Sequence, residues 1–248
     1  MYFWKCWRDS RSQFIAGLII LVAICGIFTV AAARFGGPES IRTGAAPSVA
    51  QAWSSAAEVV LRAWASLLII VWGFALGSTG LGNEFEGSTA DFLFTRPRRR
   101  RYWVWAGWTV GVLELSGVVF AAVVTTFALL SFLTGQVYTW RLMITIPTLA
   151  IGGAVVYGLT YFMTVVARSG RQGLSYAIGI FLIALLLAAV LGHYWKIEMP
   201  SVMGFMMTSC KWAAGVAKSF PSGGMILWIV VALVFPLAAQ ALVESTEV

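Results

Sequence analysis

Long apolar runs decide what this chain can fold into. Six segments of roughly 20 residues or more are almost wholly apolar, and a helix of that length crosses the hydrocarbon core of a bilayer. The runs are residues 14–33, 63–81, 102–133, 142–166, 174–192 and 225–243. Of the 248 residues, 60% are hydrophobic and 11% charged, whereas soluble domains are about 45–50% apolar and about 25% charged. The sequence therefore predicts an all-α integral membrane protein, with six transmembrane helices in a single transmembrane domain over residues 1–248.

The distribution of basic residues predicts how the helices are oriented. With the N-terminus inside, ten of the 17 lysines and arginines fall in the short cytoplasmic segments 1–13, 82–101, 167–173 and 244–248. Cytoplasmic loops carry such an excess in multi-pass proteins. We therefore expect a plasma (inner) membrane protein with both termini in the cytoplasm. The net charge of +7 then reflects topology, and with no DNA- or RNA-binding motif it predicts no nucleic-acid partner.

The first 13 residues, MYFWKCWRDSRSQ, are predicted to form an interfacial helix. Phe3, Trp4 and Trp7 can share one helical face, with Lys5, Arg8 and Asp9 turned away from it. Such a helix lies in the plane of the membrane surface and contacts lipid, with its tryptophans at headgroup depth. An aromatic belt preceding the first span is an equally good interpretation of the same residues.

Residues 199–222 are apolar but interrupted by charge. A span here would place Lys211 near mid-depth, at a cost of about 2.5–3.5 kcal/mol. We therefore predict a re-entrant, half-depth hairpin or a merely interfacial segment on the outer side, before the last span.

Few residues of this chain suit catalysis or metal binding. The sequence has no GxxxxGK[ST] phosphate loop, no HExxH and no GxSxG. Its single histidine is His193, and its cysteines, Cys6, Cys25 and Cys210, have no metal-site spacing. We expect no enzymatic activity, no catalytic residue, no metal and no cofactor bound by this chain itself. An intramembrane enzyme using Glu114 or His193 would lack a second acidic or basic group for the same site.

Glu114 is the one charge inside a predicted span. Intramembrane carboxylates often contact substrate, carry a proton or pair with another charge. Hydrogen bonding within the bundle is the alternative, structural role. Gly73 and Gly77 form a GxxxG pattern that predicts close helix packing.

Residues 82–101, GNEFEGSTADFLFTRPRRRR, form an unusually patterned loop between the second and third runs. Acidic residues come first, which favours the start of a short helix. An apolar patch, Phe92 and Leu93, follows, and Pro97 ends the helix before a basic root at the membrane. The root comprises Arg96, Pro97, Arg98, Arg99, Arg100 and Arg101. A purely topological loop needs only the arginines, so the acids and the apolar patch favour a docking element over a solvated loop.

This loop resembles the cytoplasmic loop between spans two and three of ABC-2 type transporter permeases. The family pattern there is roughly E-x-x-G-T-x-x-F-L-L-[ST]-x-P-[VI]-x-R. The residues that fill it are Glu84, Gly87, Phe92, Leu93, Thr95, Pro97 and an arginine from 99–101. Ser88-Thr89 shifts the register by one residue, Phe94 replaces the second leucine, and Arg98 replaces an aliphatic residue. The layout of an N-terminal amphipathic segment, six spans and an outer hairpin is also similar.

The resemblance implies a permease subunit of an ABC exporter, driven by a separate ATPase. The loop would be the coupling helix that contacts the ATPase through Glu84, Phe85, Gly87, Ser88, Asp91, Phe92 and Leu93. A second cytoplasmic contact would involve Arg168, Ser169, Arg171 and Gln172. The implied partners are two ATPase copies, which hold ATP and Mg²⁺, and a second permease copy or a related permease. A non-transporting membrane scaffold or anchor subunit of a larger complex is the alternative.

Overall fold

The computed structural model describes residues 2–35, 64–86, 100–134, 141–194, 200–213 and 222–245. Within these ranges the chain is helical apart from short turns, which confirms the all-α prediction for them. The helices are α1 (Tyr2–Phe35), α2 (Ser66–Glu86), α3 (Arg100–Thr134), α4 (Arg141–Ala167), α5 (Gly170–Tyr194), α6 (Val202–Ala213) and α7 (Ser222–Ser245).

Five of these helices, α1, α3, α4, α5 and α7, are long and apolar enough to cross a membrane. The chain therefore has the character of a multi-pass membrane protein. Each of the five contains one of the predicted apolar runs. The remaining run, 63–81, falls on α2, whose described side chains form a shorter apolar helix over Ser66–Thr79.

Helix α1 differs from the prediction in its bounds. Residues 2–13, predicted as a separate helix, are continuous with the first span in one helix of 34 residues. Neither glycine nor proline occurs before Gly17, so the local sequence contains no residue that would break the helix at residue 13. Cys6 packs beside Trp103 and Ala106, so this segment lies alongside the first turns of α3. Its placement in the membrane interface stays a prediction.

Close contacts between helices establish their relative directions. Phe14 lies beside Gly117 and Leu129 beside Gly26, so α1 and α3 run parallel. The indole of Trp72 lies against Gly17, and the rings of Phe28 and Trp64 stack 4.2 Å apart, so α2 runs the opposite way.

Helix α4 is antiparallel to α3 and parallel to α2. Leu115 of α3 lies beside Gly153 of α4. Two turns later in α4, the Tyr161 hydroxyl donates a hydrogen bond to the Val104 carbonyl, which lies three turns before Leu115 in α3. Gly73 and Gly77 of α2 lie in register with Gly153 and Thr160 of α4. These directions bring the start of α1, the end of α2, the start of α3 and the α4–α5 turn together. We call this the N-terminal end of the bundle.

Helix α4 occupies the centre of the bundle. It contacts α2, α3, α5, α6 and α7. A Cβ on Gly77 would lie 2.6 Å from Thr160 Cβ and 2.9 Å from the Tyr157 carbonyl oxygen. Only a residue without a side chain permits that approach, so the Gly73–Gly77 pattern serves helix packing, as predicted.

Helix α6 is short and is capped by the residue that follows Pro200. Ser201 Oγ accepts a hydrogen bond from the Gly204 backbone N–H at 3.0 Å, which satisfies one of the free donors of the first turn. Met206 and Cys210 are fully buried, and Met206 packs on Gly152, near the middle of α4. The predicted hairpin over 199–222 falls on this helix and on residues 214–221, which lie outside the described ranges.

Candidate functional site

The strongest candidate site surrounds Glu114, the charge that the sequence places inside a span. The residue lies in the middle third of α3 and is 3% exposed. Its Oε1 lies within hydrogen-bonding distance of Ser10 Oγ from α1. Its Oε2 is buried and has no hydrogen-bond partner in the part of the chain that the structure describes. A buried carboxyl with one unsatisfied oxygen is costly for stability, which makes it a functional candidate.

Helix α1 presents Ser10 to this carboxyl. Ser10 Oγ also lies 2.8 Å from the Cys6 carbonyl oxygen and 3.4 Å from that of Trp7, in the preceding turn of its own helix. One turn after Ser10, Gln13 Oε1 accepts a 3.0 Å hydrogen bond from the Thr79 hydroxyl of α2. Polar contacts therefore hold the first three turns of α1 to both α2 and α3.

Helix α4 closes the site with two stacked tyrosines. The Tyr157 hydroxyl donates to the Gly107 carbonyl at 3.1 Å, and the Tyr161 hydroxyl donates to the Val104 carbonyl at 2.9 Å. Both rings are almost fully buried, with their centroids 5.8 Å apart. Tyr157 lies close enough to Glu114 and Cys6 to interact with both electrostatically.

Glycines in α3 make room for these rings. A Cβ on Gly111 would overlap the Tyr157 ring, and one on Gly107 would lie 2.9 Å from the Tyr161 hydroxyl oxygen. The two glycines are four residues apart and so share one face of α3. We name Ser10, Glu114 and Tyr157, with the Cys6 carbonyl, the Glu114 junction.

A second polar contact ties α7 to the start of α3. The Trp105 indole N–H donates to Gln240 Oε1 at 2.8 Å, and Gln240 Nε2 donates to Glu244 Oε1 at 3.1 Å. This contact brings the last turns of α7 to the N-terminal end of the bundle. It lies apart from the Glu114 junction, nine residues or about two and a half turns earlier along α3.

The predicted docking loop falls mainly outside the described residues. Glu84 and Phe85 lie in the last turn of α2, whose backbone is helical to Glu86, and Arg100 and Arg101 begin α3. The other predicted loop residues lie outside the described ranges: Gly87, Ser88, Asp91, Phe92, Leu93, Arg96, Pro97, Arg98 and Arg99.

The predicted second contact forms the α4–α5 turn. Arg168 has a φ of 52°, in the left-handed region, which reverses the chain in two residues. The side chains of Arg168, Arg171 and Gln172 are exposed, while Ser169 is half-buried and its carbonyl accepts the Gly173 N–H at 3.0 Å. These exposed groups lie at the same end of the bundle as the end of α2 and the start of α3.

The N-terminal aromatic residues are only partly buried. Phe3 is 44% and Trp4 67% exposed, whereas Trp7 is half-buried and packs against Phe14 with ring centroids 5.4 Å apart. Arg8 is exposed, and its Nε lies 3.8 Å from Asp9 Oδ1.

Sequence reasoning singled out Glu114 but missed its neighbours. Ser10 resembles any polar residue ahead of a span, and nothing local connects it with a residue 104 positions away. The Gly107–Gly111 spacing was a usable signal for close packing of α3.

No cluster of three or more histidine, cysteine, aspartate or glutamate residues that could hold a metal occurs within the described ranges. Comparison with known proteins gives no family assignment, since neither a family model nor a curated protein matches this sequence.

Proposed function

We propose that this chain is the membrane-spanning permease subunit of an ATP-binding cassette exporter, powered by a separate ATPase subunit. The observation that carries the proposal is the ABC-2 type pattern in residues 82–101, which join α2 to α3. The loop's apolar patch would dock in the ATPase. When ATP closes the ATPase dimer, the docked loops of the two permease subunits would move toward each other, and the attached helices would shift with them as rigid bodies. ATP must then stabilise one arrangement of the helices more than the other, because only differential binding shifts such an equilibrium.

The helix directions support this proposal. The end of α2, the start of α3 and the exposed α4–α5 turn lie at one end of the bundle, so a single partner can contact both loops. In the proposed topology this end faces the cytoplasm, and both termini are cytoplasmic. Helix α2 also crosses the membrane, which brings the number of transmembrane helices to six. Two permease copies, or one with a related permease, would then bind two ATPase copies.

The packing of α6 supports an outer half-depth segment. Its burial against the middle of α4, through Met206 and Gly152, is what a helix entering halfway into the bundle requires. A helix covered by protein in this way avoids exposing unsatisfied backbone groups to lipid. In the permease, this segment would close the outer end of the substrate path.

The experiment is affinity purification with a C-terminal tag from nanodiscs, with and without ATP and vanadate, followed by mass spectrometry. We expect a stoichiometric ATPase in the wild type. Phe92→Asp with Leu93→Asp should weaken ATPase binding by about 30-fold or more, equivalent to about 2 kcal/mol for central interface residues. The double variant should still insert and elute as the wild type does.

Tyr194→Asp is the matched control, because Tyr194 is 74% exposed at the opposite end of α5. It should retain the ATPase. If the double variant stimulates the ATPase normally, the coupling role is wrong. If only partners without nucleotide-binding activity are recovered, indifferent to the loop substitutions, the chain is a scaffold or anchor subunit.

A further inference from the structure

The Glu114 junction contains more hydrogen-bonding contacts than hydrogens when Glu114 is ionised. Ser10 Oγ carries one hydrogen, and a carboxylate carries none. Yet Ser10 Oγ lies 2.8 Å from the Cys6 carbonyl oxygen and within hydrogen-bonding distance of Glu114 Oε1. Both neighbours are acceptors in that state, so the single hydroxyl hydrogen cannot serve both contacts.

One added proton satisfies both contacts. If Glu114 is a carboxylic acid, its Oε1–H donates to Ser10 Oγ, and the Ser10 hydroxyl donates to the Cys6 carbonyl. The second bond is the usual one for a serine inside a helix, directed to the carbonyl four residues earlier. The remaining oxygen, Oε2, is then the carbonyl oxygen of a neutral acid, and burying it without a partner costs far less than burying a charge.

The described groups around Glu114 supply neither a positive charge nor a hydrogen-bond donor to Oε2, so they do not favour the ionised form of its carboxyl. From α4, the Tyr157 hydroxyl donates to Gly107 and so does not supply Oε2. From α1, Cys6 contributes its carbonyl to the junction; Lys5, Arg8 and Asp9 lie on the same segment, and Arg8 pairs with Asp9 at the exposed side. The described side chains of α2 include no titratable group, and Glu244 of α7 bonds to Gln240 at the bundle end.

We propose that Glu114 is a proton-binding site that is closed by the first three turns of α1. Release transfers the Glu114 proton to water, and the Ser10 hydrogen then turns from the Cys6 carbonyl to the carboxylate. Oε2 is then charged and buried, with no donor among the described residues, which favours separation of α1 from α3 and entry of water. Proton occupancy is thereby linked to docking of the N-terminal segment. This inference does not depend on the proposed transport function, since it needs no ATPase.

The test is infrared spectroscopy of the full chain in nanodiscs at neutral pH, in H₂O and D₂O. We expect a C=O stretching band of a protonated carboxyl in the wild type, and its complete loss in Glu114→Gln. Ser10→Ala removes the acceptor of the Glu114 proton and should shift the band to higher frequency, because the carboxyl then loses its hydrogen bond. Glu244→Gln, at an exposed carboxyl, is the matched control and should leave the band unchanged.

Absence of the band from the wild type, or its persistence in Glu114→Gln, would overturn the proposal. If Glu114→Gln fails to fold, Ser10→Ala decides, because it deletes one hydroxyl and leaves the carboxyl in place. An unshifted band in Ser10→Ala would mean that the protonated group is elsewhere in the chain.

Discussion

Helices α4 and α5 are neighbours of similar length, 27 and 25 residues, joined by a two-residue turn, yet they occupy opposite environments. Within the most apolar 18-residue stretch of each, 67% of α4 is buried by the rest of the chain, against 6% of α5. The more apolar helix is the one left outside. In soluble proteins the more apolar helix is the more buried one. In a bilayer this relation can reverse, because lipid tails accept leucine as well as a protein interior does.

The interior helix is marked by small residues and hydroxyls. Hydroxyls of α4 donate to backbone carbonyls, among them those of Thr148, Tyr157, Thr160, Tyr161 and Thr164. Its glycines at 152, 153 and 158 each face a side chain of another helix. Helix α5 instead exposes large aliphatic side chains over its second half, including Leu182, Ile183, Leu186, Leu187 and Val190.

The largest difference between the two helices should come from truncating one leucine in each. Leu149 of α4 is fully buried, and Leu187 of α5 is 53% exposed. Leu149→Ala leaves a cavity in the bundle and should cost about 2–5 kcal/mol of unfolding free energy, whereas Leu187→Ala should cost under about 0.5 kcal/mol. Denaturation in mild detergent, followed by tryptophan fluorescence, measures both. Equal losses would show that α5 is covered as thoroughly as α4.

A pair of glycines within α5 sharpens the comparison. A Cβ on Gly173 would lie 2.5 Å from Thr164 Cα, whereas no atom of the described residues lies within 4 Å of one on Gly179. Gly173→Ala must push α5 away from α4 and should cost about 1–3 kcal/mol. Gly179→Ala should be neutral or stabilise the helix by up to about 1 kcal/mol, since alanine is the better helix former.

The midpoint of thermal unfolding for the two glycine variants is the measurement. Because only Gly173→Ala should lower the midpoint, the pair separates the tight contact at Gly173 from general effects of replacing a glycine in α5. If both variants are destabilised alike, the tight contact at Gly173 is not what anchors α5 to the bundle.

The sequence predicts the extent of the helices well and their neighbours poorly. Runs of apolar residues place α4 at 142–166 and α5 at 174–192, close to the observed Arg141–Ala167 and Gly170–Tyr194. Length and hydropathy carry that information because a bilayer demands both. Which helix lies at the centre depends on contacts between distant segments, and only the glycines and hydroxyls of α4 indicate it locally.

The candidate site likewise contains one residue that the sequence predicts and one that it does not. Glu114 stands out because a charge inside an apolar run is costly wherever it packs. Its partner Ser10 could not be predicted, since that contact depends on α1 running parallel to α3 in one particular register. The continuity of α1 through residue 13 was also missed, because an amphipathic segment beside a span fits either a separate surface helix or an extended one.

The smallest expected effect is that of a single hydroxyl, and it separates packing from hydrogen bonding in the centre of the bundle. Tyr161 bonds to the Val104 carbonyl at 2.9 Å, while Tyr176 of α5 is 54% exposed. Tyr161→Phe keeps the ring in place and removes the bond, so its cost should be about 0.6 kcal/mol, the average for interhelical side-chain hydrogen bonds in membranes. Tyr176→Phe should change the unfolding free energy by less than the error of the measurement. A loss above about 2 kcal/mol for Tyr161→Phe would mean that the ring itself has moved, because one bond cannot supply it; no loss would mean that the bond from Tyr161 to Val104 adds nothing to the attachment of α4 to α3.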